Sequence, residues 1–560
     1  MASTFMRSTT LTIDRTSTPA AFDFSPNFNA ADWFIDRHVH EGRGANVAIR
    51  EVCAPDGVPA DRDGPDRGGA HRAVTYDELA DRVNRAGNAL RDVAKPGDRV
   101  LMVVKDCAEF FYLFWGAIKA GVIPVPVNAM LRRDGLAFMI ADAAVRAVIY
   151  SPEFASEAVP ALVKSGAGAQ GLVLDAEGGF ITRIDEASPE LDAVAAGPDE
   201  VAFWLYSSGT TGRPKGVIQR HRAAPVTCEH YGVGVLGLGE DDACFSAARL
   251  FFAYGLGNAM TFPLHVGGTA ILDERRPTPA TTFETIERTR PTAYFGVPTL
   301  YAAQLQSLEQ LEESDDGGAD TSSLRLCVSA GEALPADIFR RWHQRTGLEI
   351  LDGIGSTEAL HIFISNAPGA VKPGTTGRLV PGYDARILTE SGVEATPGEA
   401  GQLEIRGESV MSGYWNRPET TAATLVGGWL RTGDQYVRDD EGYFQYQGRA
   451  DDMMKVGGIW CSPFDIEARL IEHPAVLEAA VVGRADDQEL VKPEAFVVLT
   501  AGVTRDGVGD GADEGGALEA ALIEHCQEGL PRYMYPRWIH FVDDLPKTAT
   551  GKIQRFKLRT

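Results

Sequence analysis

From residue 75 to residue 206, short runs rich in Val, Ile and Leu recur at helix-sized intervals: Val100 to Val104, Val122 to Val127, Ala147 to Tyr150, Leu172 to Leu174 and Val201 to Tyr206. Strands separated by helices pair in parallel, so the pattern predicts an α/β fold with mainly parallel sheets flanked by helices. The first interval opens on the capping box Thr75-x-x-Glu78 and continues with Leu79, Val83, Ala86, Leu90 and Val93 at helical spacing, which predicts an amphipathic helix. A chain of 560 residues exceeds what one core organises and calls for several. A β-like pattern at Gly401 to Arg406 and Gly442 to Gln447 predicts a β-rich subdomain, and it ends near Gly448 to Asp452. The tail beyond has its own helix start, Ser462 as N-cap with Pro463 at N1, and strand candidates Leu477 to Val482 and Ala495 to Leu499. It is expected to form a small α+β domain. Three Gly/Asp-rich stretches, Ala54 to Arg72, Glu312 to Ser323 and Gly502 to Gly516, read as surface loops.

Residues 1–24 begin with a Ser/Thr-rich stretch without an apolar signal region and are expected to be a flexible tail. The most apolar region, Phe110 to Val127, is interrupted by Lys119, Pro124 and Pro126, so no membrane span is expected and the protein is placed in the cytoplasm. Seven scattered cysteines without a C-x-x-C pair argue against a structural zinc or a disulfide framework. Acidic residues outnumber basic ones 78 to 53, and a net charge of −25 repels phosphate backbones and anionic lipid, so neither nucleic acid nor membrane is an expected partner. Eleven lysines stand against 42 arginines. The acidic surplus suggests adaptation to high salt; a GC-rich genome is the alternative, and it accounts for the arginine bias better than for the charge.

The strand candidate Val201 to Tyr206 runs into Ser207-Ser208-Gly209-Thr210-Thr211-Gly212-Arg213-Pro214-Lys215-Gly216. Glycines admit an oxyanion close to the backbone, N–H groups and hydroxyls donate to phosphate oxygens, and a lysine supplies the cation. The spacing is not that of a Walker A loop, because proline precedes the lysine and glycine follows it.

Four more motifs follow in order: Gly353-Ile354-Gly355-Ser356-Thr357-Glu358; Thr432-Gly433-Asp434; Gly448-Arg449-Ala450-Asp451-Asp452-x-x-Lys455-Val456-Gly457-Gly458; and Pro546-Lys547-Thr548-Ala549-Thr550-Gly551-Lys552. Together with the Ser/Gly/Thr loop they resemble the adenylate-forming acyl-CoA synthetase family, over residues 25 to 560. Within it, Phe251 to Asn258 and Ser356 to Phe363 resemble the benzoate-CoA ligase branch.

The resemblance implies a large domain over 25–448, a hinge over 449–452 centred on Asp451, and a mobile domain over 453–560. It implies two half-reactions, in which a carboxylate attacks the α-phosphorus of ATP and coenzyme A thiolate then attacks the acyl-AMP. No covalent enzyme intermediate is needed, so catalysis rests on positioning and charge stabilisation. Ser207, Ser208, Gly209, Thr210, Thr211 and Lys215 are expected around the phosphates. Glu358, with Thr357 beside it, supplies the oxygen ligands that Mg²⁺ favours. Asp434 accepts from the ribose hydroxyls and Arg449 reaches the same sugar, while adenine lies against Gly331, Glu332, Ala333, Asp352, Gly353 and Ile354. Ile354 replaces an aromatic that many members carry. Lys552 bridges the attacking carboxylate and the α-phosphate, and Gly457 and Gly458 line the coenzyme A channel. Ala253, Tyr254, Gly331, Gly355, His361 and Ile362 would hold a small aromatic carboxylate. A medium-chain or cinnamate-type acid, or a carrier protein loaded in place of coenzyme A, are alternatives, and a homodimer is left open.

Overall fold

The computed structural model describes residues 5–7, 10–52, 71–175, 178–207, 213–314, 319–449, 452–456, 459–487, 490–503, 516–547 and 553–559. Two parallel sheets carry the large domain. One has four strands in the order Ile123–Pro126, Arg99–Val103, Ala147–Tyr150 and Gln170–Val173, and every pair in it is parallel. These are four of the five runs that the alternation predicts. The other has nine strands; its centre is parallel, and antiparallel strands close both edges, His71–Thr75 at one end and Ile362–Ser365 with Arg378–Leu379 at the other. Parallel strands buried on both faces read as continuous apolar runs, as Ala147–Tyr150 does with all four residues buried.

Helix Tyr76–Arg91 starts at the expected capping box: the Thr75 hydroxyl accepts from Glu78 N–H, and Glu78 reaches back to the Thr75 N–H. Leu79, Val83, Ala86 and Leu90 are buried, whereas Val93 lies beyond the helix end. Helix Ala108–Lys119 is buried along its whole length, and Lys119 ends among partners at 2.6 Å, Asp36 and Asn84. Its charge is paired in the interior, as a buried cation requires.

Three expectations are corrected. Part of the segment read as a flexible tail is ordered sheet: Phe5–Arg7, Leu11–Asp14 and Ala21–Phe24 pair antiparallel, and Leu11 and Ile13 are buried. Arg15 clasps the buried carboxylate of Glu229, which also meets His265 at 2.9 Å. Burial opposes ionisation of Glu229, but the hydrogen bonds from His265 and Arg15 outweigh it and hold the carboxyl at about 2. Second, Val201–Ser207 joins neither parallel sheet; it forms an antiparallel hairpin with Lys215–Arg220, because the connection between them is too short for a crossover helix. Third, the Gly/Asp-rich stretches are not loop throughout: Arg72 belongs to strand His71–Thr75, and helix Pro298–Ser314 runs into the second stretch.

The β-rich subdomain is an antiparallel sheet built around Ala400–Gly407, Trp429–Arg438 and Phe444–Arg449. The small domain has its own core of Ile466, Leu470, Val481, Leu522 and Cys526. Helix Pro463–Ile471 starts with the Ser462 hydroxyl accepting from Asp465 N–H and packs with helix Ala517–Gly529 on strands Val476–Ala485, Val491–Leu499 and Trp538–Phe541. Among the described residues the six cysteines are buried and unbridged, and no helix is long and apolar enough to cross a membrane.

Candidate active site

The hairpin register sets Ser207 directly opposite Lys215, so the two ends of the Ser/Gly/Thr loop emerge side by side. Residues Ser208, Gly209, Thr210 and Thr211 of that loop lie outside the described residues. Next to the hairpin stands Glu358, whose Oε1 accepts from the Ser207 hydroxyl at 2.9 Å and from the Tyr414 hydroxyl at 2.8 Å. The Lys215 ammonium sits 4.4 Å from the Tyr414 ring centroid. Gln219 donates to the Thr357 carbonyl at 2.8 Å and fixes the loop that carries Glu358.

A cavity of about 840 Å³ opens in front of these groups, between the large and small domains. Ser207, Lys215, Gly331, Glu332, Ala333, Asp352, Gly353, Ile354, Gly355, Thr357 and Glu358 all border it, as do Asp434 and Arg449. Asp434 and Arg449 face each other across adjacent strands, with Arg449 Nη1 donating to Asp434 Oδ1 at 3.0 Å. The neighbouring Asp434 carboxylate holds the Arg449 guanidinium above its ordinary range. Gly433 takes φ +78°, and a side chain there would strike the Arg449 guanidinium at 2.9 Å. Asp352 is buried with one carboxyl oxygen, Oδ1, unpartnered among the described residues; burial pushes its carboxyl well above the usual range, against the backbone N–H groups of Leu334 and Gly353.

Of the residues expected to hold an acid, Gly331 and Gly355 border the cavity. Ala253, Tyr254, His361 and Ile362 do not border it; the layer they belong to meets it where Gly353 and Gly355 abut Ile362 and His361. A Cβ on Gly355 would meet the His361 carbonyl oxygen at 2.6 Å, so the two backbones touch there. Tyr254 donates to the carbonyls of Gly296 and Val328 at 3.2 and 3.4 Å. His361 Nε2 lies 3.1 Å from Asn258 Oδ1 and 3.3 Å from the Tyr254 carbonyl, while its Nδ1 has no partner among the described residues. Burial lowers the imidazole to about 3, so it is neutral.

The small domain supplies the facing wall through Phe464, Glu467 and Ile553 to Phe556. Ile553 N–H donates to Glu332 Oε1 at 2.7 Å, across the domain boundary. Lys552, Asp451, Gly457 and Gly458 lie outside the described residues. Three contributors have no signal in the sequence pattern: Tyr414, Gln219 and the Glu332 side chain as partner of Ile553. The carboxylate that Tyr414 meets is 56 residues away in sequence, and Glu332 and Ile553 are 221 apart. Periodicity reports only neighbours in sequence.

The AMP-binding enzyme family model matches residues 56–415, and the model of the AMP-binding enzyme C-terminal domain matches 465–552. The chain is 47% identical to the benzoate-CoA ligase of Thauera aromatica, over 98% of both chains. It superposes on a benzoate CoA ligase from Burkholderia xenovorans LB400 with TM-score 0.81 and 41% identity, covering 95% of this chain and 100% of that one. An anthranilate CoA ligase in complex with anthranoyl-AMP gives TM-score 0.84 and 37% identity, covering 96% and 97%. With both family models matched in order and the first spanning more than half of the chain, the chain belongs to the AMP-binding enzyme family, in its aryl-CoA ligase branch.

Proposed function

We propose that the cavity activates benzoate or a small substituted benzoate as its acyl-AMP and then transfers the acyl group to coenzyme A. The observation that carries this reading is the convergence, on one cavity, of Ser207, Lys215 and Glu358 with the Asp434–Arg449 pair and a wall from the small domain. Lys215 and the loop that begins at Ser207 neutralise and orient the phosphates. Asp434, an acceptor held by Arg449, suits a vicinal diol and takes the ribose hydroxyls. Asp352, which borders the cavity with its Oδ1 unpartnered among the described residues, is available to hydrogen-bond the edge of the adenine base. Ile354 offers apolar contact to the base. Ala253, Tyr254, Gly331, Gly355, His361 and Ile362 enclose the aryl group.

The donor set also fits Mg²⁺. Glu358 presents a carboxylate to the cavity beside Thr357, and among the described residues no three His, Cys, Asp or Glu side chains gather into a cage. Mg²⁺ commonly takes one or two carboxylates and completes its shell with phosphate oxygens and water. When bound it would neutralise phosphate charge, while Ser207 and Tyr414 hold the carboxylate in place.

Lys552 carries the first half-reaction by bridging the two anions, carboxylate and α-phosphate. Rotation about Asp451 then removes it and brings Gly457 and Gly458 to the channel for the thiol. The large domain extends to residue 448, with the N-terminal sheet packed on it, and the small one over 453–560 in this reading. The direct test is pyrophosphate release over a panel of acids, with and without coenzyme A. Release with benzoate that becomes multiple-turnover only when coenzyme A is added supports the proposal; turnover that coenzyme A does not accelerate refutes the second half-reaction.

The acidic surface belongs to the same proposal as an adaptation to salt. About 25 net negative charges repel one another, and the Debye length shrinks from ~10 Å at 0.1 M to ~3 Å at 1 M. Melting temperature is expected to rise between 0.1 M and 2 M KCl, and equal values in thermal melts would leave codon usage as the cause of the composition.

A further inference from the structure

The segment that follows Lys552 is anchored twice within its own domain. Lys547 and Ile553 form an antiparallel bridge, and Gln554 N–H donates to the Pro546 carbonyl at 2.7 Å, so the two flanks of residues 548–552 stand side by side. Arg555 donates to both oxygens of Glu467, at 3.1 and 2.7 Å, and Glu467 in turn accepts from Val481 N–H at 2.7 Å. The flanks therefore move with the body of the small domain. From the large domain, Glu332 reaches across and takes the N–H of Ile553.

We propose that Glu332 is a positioning residue that latches the small domain for acyl-AMP formation, by accepting the backbone N–H next to Lys552. The inference rests on the reading of Lys552 as the adenylating cation and assigns the Glu332 carboxylate to the domain boundary, with its backbone left to line the adenine side. Any residue at 553 except proline offers an N–H, so the bond specifies where the segment sits and not which side chain sits there. A contact made in one of two arrangements shifts the population toward that arrangement. Rotation for the second half-reaction carries Ile553 away from Glu332, so the stabilisation is confined to the first. Arg340 and Glu472 also meet across the boundary, at 3.6 Å, but Arg340 is exposed and such pairs contribute little.

The test compares Glu332→Ala, Glu332→Asp and Glu332→Gln in two assays: ATP–pyrophosphate exchange with benzoate, and thioester formation from supplied benzoyl-AMP and coenzyme A. Losing a hydrogen bond to a charged acceptor is expected to slow exchange by about ten- to a hundredfold in the alanine variant. Aspartate, whose carboxylate is drawn back by one methylene, should lose the same step. Glutamine retains an acceptor oxygen at the same reach and should recover exchange to within about threefold of the unmutated enzyme. Thioester formation should fall far less than exchange in all three, and any loss of AMP affinity should be smaller than the loss of exchange rate. Equal losses in both half-reactions, a loss of AMP affinity matching the loss of rate, no loss at all, or glutamine as damaging as alanine would each overturn the latch. Lys552→Ala run alongside separates the two claims. If it keeps exchange, the lysine reading fails and the latch with it; if it loses exchange while Glu332→Ala does not, the latch alone fails.

Discussion

Lys552→Ala is expected to slow acyl-AMP formation by about 10²- to 10³-fold while leaving thioester formation from supplied benzoyl-AMP within about twofold of the unmutated rate. The attacking carboxylate and the α-phosphate are both anions, and their approach is uphill until a cation lies between them. One well-placed donor in a closed site contributes ~3–4 kcal/mol at the transition state, which is the origin of the expected loss. Position supports the assignment. The segment after Lys552 borders the cavity at Ile553 to Phe556, and the Lys547–Ile553 bridge holds the two flanks of residues 548–552 side by side on the small domain. The second half-reaction needs no such bridge, because the acyl carbon of acyl-AMP is already activated and the attacking thiolate carries the only new charge. Half-reaction assays with matched protein concentrations decide the matter. A parallel fall in both would remove the argument that this lysine acts in one domain arrangement only.

Much of the fold is legible in the sequence because its strongest signals are local. The capping box at Thr75 and Glu78, the apolar stripe after it and the Ser462-Pro463 start each depend on residues within a few positions, and each appears where expected. Four of the five apolar runs take up a single parallel sheet for the same reason. The fifth, Val201–Ser207, has the same composition but pairs with Lys215–Arg220, and only the shortness of its connection distinguishes it. The N-terminal sheet was hidden because three strands of three or four residues are too brief to establish a period. Their tertiary partners, such as His230 against the Phe22 ring, lie more than two hundred residues away. The candidate site divides along the same line. Glu358, Asp434 and Lys215 stand in compact motifs and are readable one by one, whereas Tyr414 and the Glu332 side chain acquire a role only when strand Gly413–Tyr414 pairs with the hairpin and the small domain meets the cavity.

Benzoate and small substituted benzoates are expected to exceed octanoate in kcat/KM by ~200-fold or more. One wrongly sized group in an apolar pocket is worth ~1–3 kcal/mol, or roughly 10–200-fold, and octanoate overfills the space of a ring by several methylenes. The argument depends on how firmly the back layer resists. Tyr254 is fixed at its hydroxyl by two strand carbonyls, and its ring lies 5.7 Å from that of His361. His361 is held by Asn258 and packs edge-on against Phe262 at 4.5 Å, with Tyr231 at 5.6 Å. Gly355 lies backbone to backbone against His361, so the layer cannot shift toward the cavity without a clash. Rings tied by their polar atoms and packed against one another cannot fold aside to start a tunnel, since displacing Tyr254 or His361 breaks a buried hydrogen bond as well as a packing contact. Tyr254→Ala removes the phenol that closes this layer and is expected to narrow the preference by lowering the benzoate value and raising the octanoate value. Steady-state kinetics on both acids with both proteins provide the check. Comparable kcat/KM for the two acids in the unmutated enzyme would refute the aryl pocket, and an unchanged ratio in Tyr254→Ala would show that the limit on length is set elsewhere than at this ring.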